Sequence, residues 1–202
     1  MTTLTIVRHG QTDWNLAHRI QGATDIPLND TGRDQARAIG DVLAETLTSV
    51  GARIVSSDLE RARETAAIIG GRMGLESAPA RVYSELRERS YGEAEGMLVA
   101  DFVERFGAGP RDDVPGAESR PDLRARALRA VRRVVHDVRA ETAPAPAAVV
   151  VVSHGALIRE LIGHASSDAA PLPGERLENG SAHTFLVERD GMRLLSYTAV
   201  AA

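Results

Sequence analysis

His9 and His154 each come at the end of a strongly apolar run of the chain, and each is followed by glycine. Arg8 immediately precedes the first of them. In open α/β sheets, ligands bind beyond the carboxyl ends of the strands, so both imidazoles are expected at one sheet edge. A glycine after each histidine lets backbone N–H groups approach a ligand closely. One histidine after a strand is usually structural, but this repeated arrangement beside an arginine indicates a site.

Arg61 belongs to a third segment in which a strand is expected to give way to a helix. From the first helical turn its guanidinium can point at the same strand ends as the two histidines. Two arginines and helix N-termini around two histidines form a pocket suited to a dianion such as phosphate. Arg63 is interpreted differently, as part of a solvated helix face with Glu60 and Glu64 as ion-pair partners.

Paired histidines are also common metal ligands, so a metal site is the rival interpretation. Such a site needs further histidine or carboxylate ligands nearby, and the flanking arginines would repel a cation. We therefore predict no metal ligand among these residues, and no cofactor.

Composition excludes several classes of chemistry and partner. The chain has no cysteine, which excludes disulfides, thiolate catalysis and cysteine-ligated zinc. All 24 basic residues are arginine, so no lysine is present for a Schiff base, a pyridoxal phosphate anchor or a Walker-type site. The net charge of −4 argues against a nucleic-acid partner. No signal-like start or long apolar run is found, so we expect a cytoplasmic protein without membrane contact.

Strands and helices alternate along the sequence, which predicts one α/β domain over residues 1–202, a three-layer α/β/α sandwich with a mostly parallel central sheet. The predicted strands cover residues 4–7, 52–56, 147–152, 183–188 and 193–197, the last two joined as a hairpin across Asp190 and Gly191. The predicted helices begin near residues 30, 59, 98, 120 and 155, and the second is expected to stop at Gly70 and Gly71. Residues 79–121 are the least regular part.

Five motifs occur in an order that is specific as a set, although Arg-His-Gly alone is a weak signal. They are Arg8-His9-Gly10-Gln11-Thr12-Asp13-Trp14-Asn15 with Gln21-Gly22 and Leu28-Asn29-Asp30-Thr31-Gly32, Ser56-Ser57-Asp58-Leu59-Glu60-Arg61-Ala62, Leu86-Arg87-Glu88-Arg89-Ser90-Tyr91-Gly92 with Glu95-Gly96, Pro115-Gly116-Ala117-Glu118-Ser119, and Val152-Ser153-His154-Gly155. In these motifs the chain resembles the histidine phosphatase superfamily, the phosphoglycerate-mutase-like clan, and within it the phosphatase branch.

The resemblance implies a role for each matched residue. His9 would be the nucleophile that takes the phosphoryl group, and Glu88 would be the acid that protonates the leaving oxygen, with Glu85 as its local competitor. Arg8, Arg61 and His154 would clamp the transferring oxygens. The catalytic residues implied are His9, Arg8, Arg61, Glu88 and His154, and the substrate-binding residues implied are Asn15, Gln21, Gly22 and Gly155.

Two departures from the mutase pattern favour a phosphatase with an open pocket. Mutases of this clan typically carry histidine two residues after the acid, where this chain has Ser90. The segment from Met97 to Gly116 is also short for a mutase, in which a longer insertion lines the acid side of the pocket.

The function predicted on this basis is a metal-independent phosphomonoesterase, a histidine acid-type phosphatase that hydrolyses a small phosphorylated metabolite through phosphohistidine. A phosphoglycerate mutase, which returns the phosphate to the bound product, is the first alternative. A non-catalytic phospholigand-binding protein is the second. The phosphorylated substrate is the predicted partner, and a homodimer stays open as an oligomeric state.

The remaining histidines lie outside the matched motifs, and we predict packing or surface roles for them: His18, His136, His164 and His183. Trp14 is expected to pack the loop that carries Asn15.

Overall fold

Short strands and longer helices follow each other along the computed structural model, which describes residues 1–47, 51–75, 80–107 and 114–201. The strands are β1 (Thr2–Arg8), β2 (Ala52–Ser56), β3 (Arg81–Val82), β4 (Ala148–Ser153), β5 (Glu175–Arg176), β6 (Ala182–Val187), β7 (Met192–Ser196) and β8 (Val200–Ala201). The helices are α1 (Asp13–Leu16), α2 (Asp30–Leu47), α3 (Glu60–Arg72), α4 (Val99–Phe106), α5 (Arg120–Thr142) and α6 (Gly155–Ala165), with 3₁₀ turns at Ser84–Leu86 and Gly92–Ala94.

The central sheet has the strand order β3-β2-β4-β1-β6-β7. Its first four strands are parallel, and β6 runs antiparallel to both of its neighbours. In the register, Arg8 lies beside Ser153, and Ser56 lies beside Val152. The carboxyl ends of β1, β2 and β4 therefore meet at one edge, as ligand sites of open α/β sheets require.

Helices cover both faces of this sheet, because β4 is an unbroken apolar strand with side chains alternating between the two sides. Val149 and Val151 pack in one hydrophobic cluster with α5 and α6. Val150 and Val152 pack in another with α2 and α3. The predicted three-layer α/β/α fold is thus confirmed, with β6 making the sheet a mixed one.

Side-chain caps fix two of the helix starts that the sequence predicted. The Asn29 side-chain oxygen accepts from the Gly32 N–H at 2.9 Å and opens α2. The Ser119 hydroxyl accepts from the Asp122 N–H at 3.2 Å and opens α5, with proline in its first turn.

The predicted end of α3 at Gly70 and Gly71 is wrong, because the helix continues to Arg72. Gly74, with a φ of +70°, is the residue that ends it. The Leu75 N–H donates to the Gly70 carbonyl at 2.8 Å, and the Gly74 N–H donates to the Gly71 carbonyl at 3.2 Å, which is the Schellman arrangement.

The predicted strands and the hairpin across residues 190–191 are present, and the two-residue strands β3, β5 and β8 are additional. Of the irregular segment 79–121, residues 79 and 108–113 lie outside the described part. Among the described residues, no helix combines the length and apolar character needed to cross a bilayer.

His183 has the packing role predicted for it, on the buried side of β6. Its Nδ1 accepts from the Thr198 N–H at 3.3 Å, so Nε2 carries the proton and donates to the Ser181 hydroxyl at 3.0 Å. Burial, together with the positive charge of Arg8, lowers the pKa of His183 to about 4.

This lowered pKa predicts a loss of stability in acid. Below about pH 6.5 the unfolded chain protonates His183, whereas the folded chain does so only near pH 4, so the free energy of unfolding falls as the pH drops through that window. In urea titrations between pH 7 and pH 4.5, His183→Gln should reduce the slope of this free energy against pH by up to about 1.4 kcal/mol per pH unit. His136→Gln, at an exposed histidine, is the matched control. An unchanged slope in His183→Gln would contradict this assignment.

Candidate active site

Four of the predicted residues meet where β1, β4 and α3 converge. Arg8 ends β1 and His9 follows it, while His154 follows β4 and Arg61 lies in the first turn of α3. The two imidazole rings are 5.0 Å apart between centroids and inclined at 58°. His9, Arg61 and His154 are buried, and Arg8 is partly buried.

His9 is held in one tautomer by its own loop. Its Nδ1 lies 2.7 Å from the Gly10 carbonyl, which can only accept, so Nδ1 carries the proton and Nε2 keeps the lone pair. Burial, followed by the charges of Arg61 and Arg8, lowers the pKa of His9 well below its ordinary value. The ring is therefore a neutral imidazole that keeps an unprotonated lone pair on Nε2.

Arg61 and Arg8 are anchored by backbone carbonyls. Arg61 donates at 2.8 Å to the carbonyls of Gly22 and Thr24, and Arg8 donates to the carbonyl of Leu177. Neither guanidinium makes an ion pair with a carboxylate among the described residues. Both positive charges consequently stay available to an anion at this edge of the sheet.

Unpaired nitrogen atoms point to the same conclusion. Both ring nitrogens of His154 and the Nε atoms of Arg8 and Arg61 are buried and have no hydrogen-bond partner within the described structure. Burial, and then the charge of Arg61, lowers the pKa of His154 well below its ordinary value, so this ring is neutral as well. Buried polar groups in proteins are normally paired, and an oxyanion would pair with the two arginine Nε–H groups and with the single N–H of the neutral His154 ring.

Asn15 is oriented by a set of donors around its side-chain oxygen. That oxygen accepts from the Thr12 N–H, the Thr12 hydroxyl and the Asn179 amide at 3.1–3.2 Å. Because its oxygen is engaged three times, its NH2 group faces the other way and is free to donate. Gln21 lies behind it, with its side-chain oxygen 3.0 Å from the Thr12 hydroxyl, whose single proton is shared between the Gln21 and Asn15 oxygens.

Gly22 contributes to the site through its carbonyl, which holds Arg61 at 2.8 Å. Its φ of +56° and its contact with Glu95 leave no room for a side chain, since an added Cβ would lie 2.2 Å from a Glu95 oxygen. Glu95 in turn accepts from the N–H groups of Ala23 and Thr24 at 3.0 and 2.9 Å. Glu95 thus fixes the loop that anchors Arg61, a function that the sequence motif alone did not reveal.

Gly10 differs from the expectation that its N–H faces a ligand. This N–H donates to the Thr65 hydroxyl at 3.1 Å, and that hydroxyl donates to the Arg61 carbonyl at 2.7 Å. The need for glycine at position 10 has a different reason, because an added Cβ would lie 2.3 Å from the Gly32 carbonyl oxygen. Gly155, the first residue of α6, is packed beside Arg8, with 3.3 Å between an added Cβ and Nε of that arginine.

Glu88 lies at the N-terminus of α6, next to His154. Its carboxylate oxygens accept from the Ala156 N–H at 3.1 and 3.2 Å and from the Leu157 N–H at 3.3 Å. Burial lowers the pKa of Arg8 and of Arg61, and the nearby negative charge of Glu88 opposes this lowering. A carboxyl group is therefore present beside the cationic centre without forming an ion pair in it.

Glu85 points away from this centre. Its carboxylate pairs with Arg133 on α5, and it stands outside the contacts that surround His9 and His154. A hydrogen bond with its own backbone, and then Arg133, lower the pKa of Glu85. The geometry therefore favours Glu88 over Glu85 as the carboxyl group of the site.

Arg126 holds the segment that carries Glu88. Its guanidinium donates to the carbonyls of Glu85 and Arg87 at 2.8 Å, to that of Glu88 at 3.2 Å, and to both carboxylate oxygens of Glu118 at 2.7 and 2.6 Å. Five donated bonds saturate a guanidinium. Arg126 lies on α5, outside the matched motifs, and its partners are distant in sequence, so the sequence does not reveal this contact.

Within the described residues, histidine, aspartate and glutamate form no cluster of three or more that could hold a metal ion.

Trp14 is half-buried and packs within 3.4 Å of the Cβ position of Gly96, which agrees with a packing role in its loop.

Comparisons with known proteins point to one family. Residues 4–199 match the model of the histidine phosphatase superfamily, branch 1. The chain is similar to the uncharacterised phosphatase PhoE of Bacillus subtilis, at 34% identity over 98% of this chain and 94% of that protein. It is also similar to a glucosyl-3-phosphoglycerate phosphatase of Mycolicibacterium vanbaalenii, at 39% identity over 78% of this chain and 71% of that protein.

A solved structure carries the same fold. The mycobacterial glucosyl-3-phosphoglycerate phosphatase in complex with VO3 superposes with a TM-score of 0.82 at 32% identity, over 99% of this chain and 100% of that one. Together with the family match over nearly the whole chain, this shows that the protein belongs to the histidine phosphatase superfamily.

Proposed function

We propose that the protein is a metal-independent phosphomonoesterase that hydrolyses a small phosphorylated metabolite through a phosphohistidine intermediate. The observation that carries this proposal is the pair of guanidinium charges beside a neutral imidazole whose Nε2 is free. Such an arrangement stabilises the equatorial oxygens of a phosphoryl group while leaving a nucleophile in line with it. The phosphatase relatives support the same activity.

In the first step, Nε2 of His9 attacks phosphorus, and the bond from phosphorus to the ester oxygen breaks. Arg8, Arg61 and His154 hold the three transferring oxygens, with the Asn15 NH2 group as a further donor. Glu88, in its protonated form, gives its proton to the leaving oxygen, which departs as an alcohol. The carboxylate that remains is stabilised by the Ala156 and Leu157 N–H groups at the start of α6.

In the second step, water attacks the phosphohistidine. Glu88 takes a proton from this water, and the bond between phosphorus and Nε2 breaks, which releases inorganic phosphate and regenerates neutral His9. The low pKa of His9 favours this release, because a less basic imidazole nitrogen is a better leaving group.

The substrate we propose is a small phosphate monoester, with 3-phosphoglycerate and glucosyl-3-phosphoglycerate as the first compounds to examine because of the mycobacterial relatives. The test is ³¹P NMR of the protein with 3-phosphoglycerate and several sugar phosphates in excess EDTA. Inorganic phosphate should form with the wild-type protein and be absent with His9→Ala. An isomerised glycerate without free phosphate would instead indicate a mutase, and an unchanged spectrum for every ester would overturn hydrolysis.

Glu88→Gln should slow the hydrolysis of an alkyl phosphate by roughly 10²–10⁴-fold, because it removes the proton donor. The loss should be smaller for a nitrophenyl phosphate, whose leaving group departs without a proton. Steady-state kcat on both esters measures the difference. Glu85→Gln is the matched control, since its carboxylate pairs with Arg133 and should leave both rates near the wild-type values. Equal losses on the two esters in Glu88→Gln would place the acid elsewhere.

Arg61→Lys should weaken the binding of inorganic phosphate by about 10- to 100-fold, since an ammonium group keeps the charge but loses the forked donors. Titration calorimetry at constant ionic strength measures the Kd, after circular dichroism has shown that the variant is folded. Arg63→Lys changes an exposed arginine two residues along the same helix and should bind phosphate as the wild type does. Equal affinities in the two variants would mean that Arg61 does not bind the anion.

A further inference from the structure

Asn179 lies in the connection between β5 and β6, far along the sequence from His9, yet its side chain contacts the backbone of that residue. Its amide NH2 group is 2.9 Å from the His9 carbonyl, 3.3 Å from the Gly10 carbonyl and 3.2 Å from the side-chain oxygen of Asn15. The two N–H bonds of one amide group therefore face three acceptors in two different parts of the site, so one N–H is shared between two of them.

The contact with Gly10 bears on the tautomer of His9. The Gly10 carbonyl accepts from Nδ1 of His9 and also faces the Asn179 amide. A carbonyl oxygen has two lone pairs, so it can accept both hydrogen bonds at once. A second donor holds this carbonyl in place, and the carbonyl then keeps the proton of His9 on Nδ1 and the lone pair on Nε2.

The contact with Asn15 bears on the direction of its amide. A side-chain amide can rotate by half a turn with little change of shape, which would exchange its oxygen and its NH2 group. In the observed orientation, the donors from Thr12 and Asn179 all meet the oxygen. Rotation would set an NH2 group against the NH2 of Asn179, so Asn179 selects the orientation in which Asn15 presents a donor to the phosphate.

The loop that carries Asn179 is itself attached to β1. The Gly180 N–H donates to the Arg8 carbonyl at 3.0 Å, the Arg8 N–H donates to the Ser181 carbonyl at 3.0 Å, and the Arg8 side chain donates to the Leu177 carbonyl. Asn179 therefore stands on a backbone that is bonded on both sides to the residue preceding His9, which makes its position relative to the nucleophile well defined.

We propose that Asn179 is a positioning residue that keeps His9 in its nucleophilic tautomer and Asn15 in its donating orientation. Its effect on turnover rests on the function proposed above, whereas its effect on the His9 tautomer does not. The two readouts therefore separate a failure of this inference from a failure of the proposed function.

The first experiment is ¹⁵N–¹H NMR of the histidine side chains at neutral pH, with His9 assigned by comparison with His9→Ala. In the wild-type protein His9 should show protonated Nδ1 and unprotonated Nε2. In Asn179→Asp, where a carboxylate oxygen replaces the donor at the same volume, a mixture of the two tautomers or a charged ring should appear. Asn179→Ala, which removes the donor without adding charge, should give the same direction of change.

The chain has one further asparagine besides these two, and it provides the matched control. Asn29→Asp makes the same chemical change at the cap of α2, where it keeps the oxygen that accepts from the Gly32 N–H and loses the bonds that the NH2 group donates to the Gln11 and Asp13 side chains. This variant should keep the wild-type tautomer of His9. A His9 spectrum that is the same in all four proteins would overturn the positioning of His9.

The second experiment is a double-mutant cycle in kcat/KM between Asn15→Ala and Asn179→Ala. Each single change should lower kcat/KM by roughly 10- to 100-fold, as expected when a buried hydrogen-bonding group loses its partner. If Asn179 acts through Asn15, the loss in the double variant should be clearly smaller than the product of the two single losses. Multiplicative losses would refute the coupling, and a wild-type rate in Asn179→Ala would refute any role in turnover.

Discussion

Positive charge without a carboxylate partner is the constraint on which the site depends. Arg61 is fully buried and yet is held by two backbone carbonyls, and Arg8 is held by a third. A buried charge is costly unless other groups solvate it, and carbonyl dipoles do so without cancelling it. Burial lowers the pKa of both histidines, and the same field lowers it further, because each charged ring would add a positive charge beside the two arginines. The arginines that would attract an anion therefore also help to keep His9 neutral.

Holding these carbonyls in place requires the loops around the sheet edge to be tightly constrained. The loop of Gly22 and Thr24 is fixed by the Glu95 carboxylate, and the loop of Leu177 is bonded to β1 through Arg8 and Gly180. Gly10 and Gly32 approach so closely that neither has space for a side chain. The rigid part of the site is thus a set of backbone segments, and the arginines are positioned by those segments.

Much of this arrangement follows from local sequence. The uninterrupted apolar strand β4 predicts a sheet covered on both faces, and parallel strands bring His9 and His154 to one edge. The sequence predicts Arg61 as a site residue and Arg63 as a solvated one, because only Arg61 is placed to face that edge from the first turn of α3. The roles of Asn179, Arg126 and Glu95 could not be predicted, since each acts on a partner distant in sequence and none sits in a periodic pattern that reports such a contact. The predicted end of α3 is wrong because the pair Gly70-Gly71 is as typical of a helix end as Gly74 is, and only the positive φ of Gly74 in the structure identifies the residue that ends the helix.

Arg126 is hydrogen-bonded both to residues 85–88 and to Glu118, and this bears on which parts of such a protein can change in sequence during evolution. Both ends of the intervening stretch are bonded to the same helix, α5, so the part of it beyond Glu95, which holds the loop of Gly22 and Thr24, can change in length without displacing Glu88. In such a protein, new substrate preferences can therefore arise in that outer part of the chain, while Glu88 and the two histidines keep their positions.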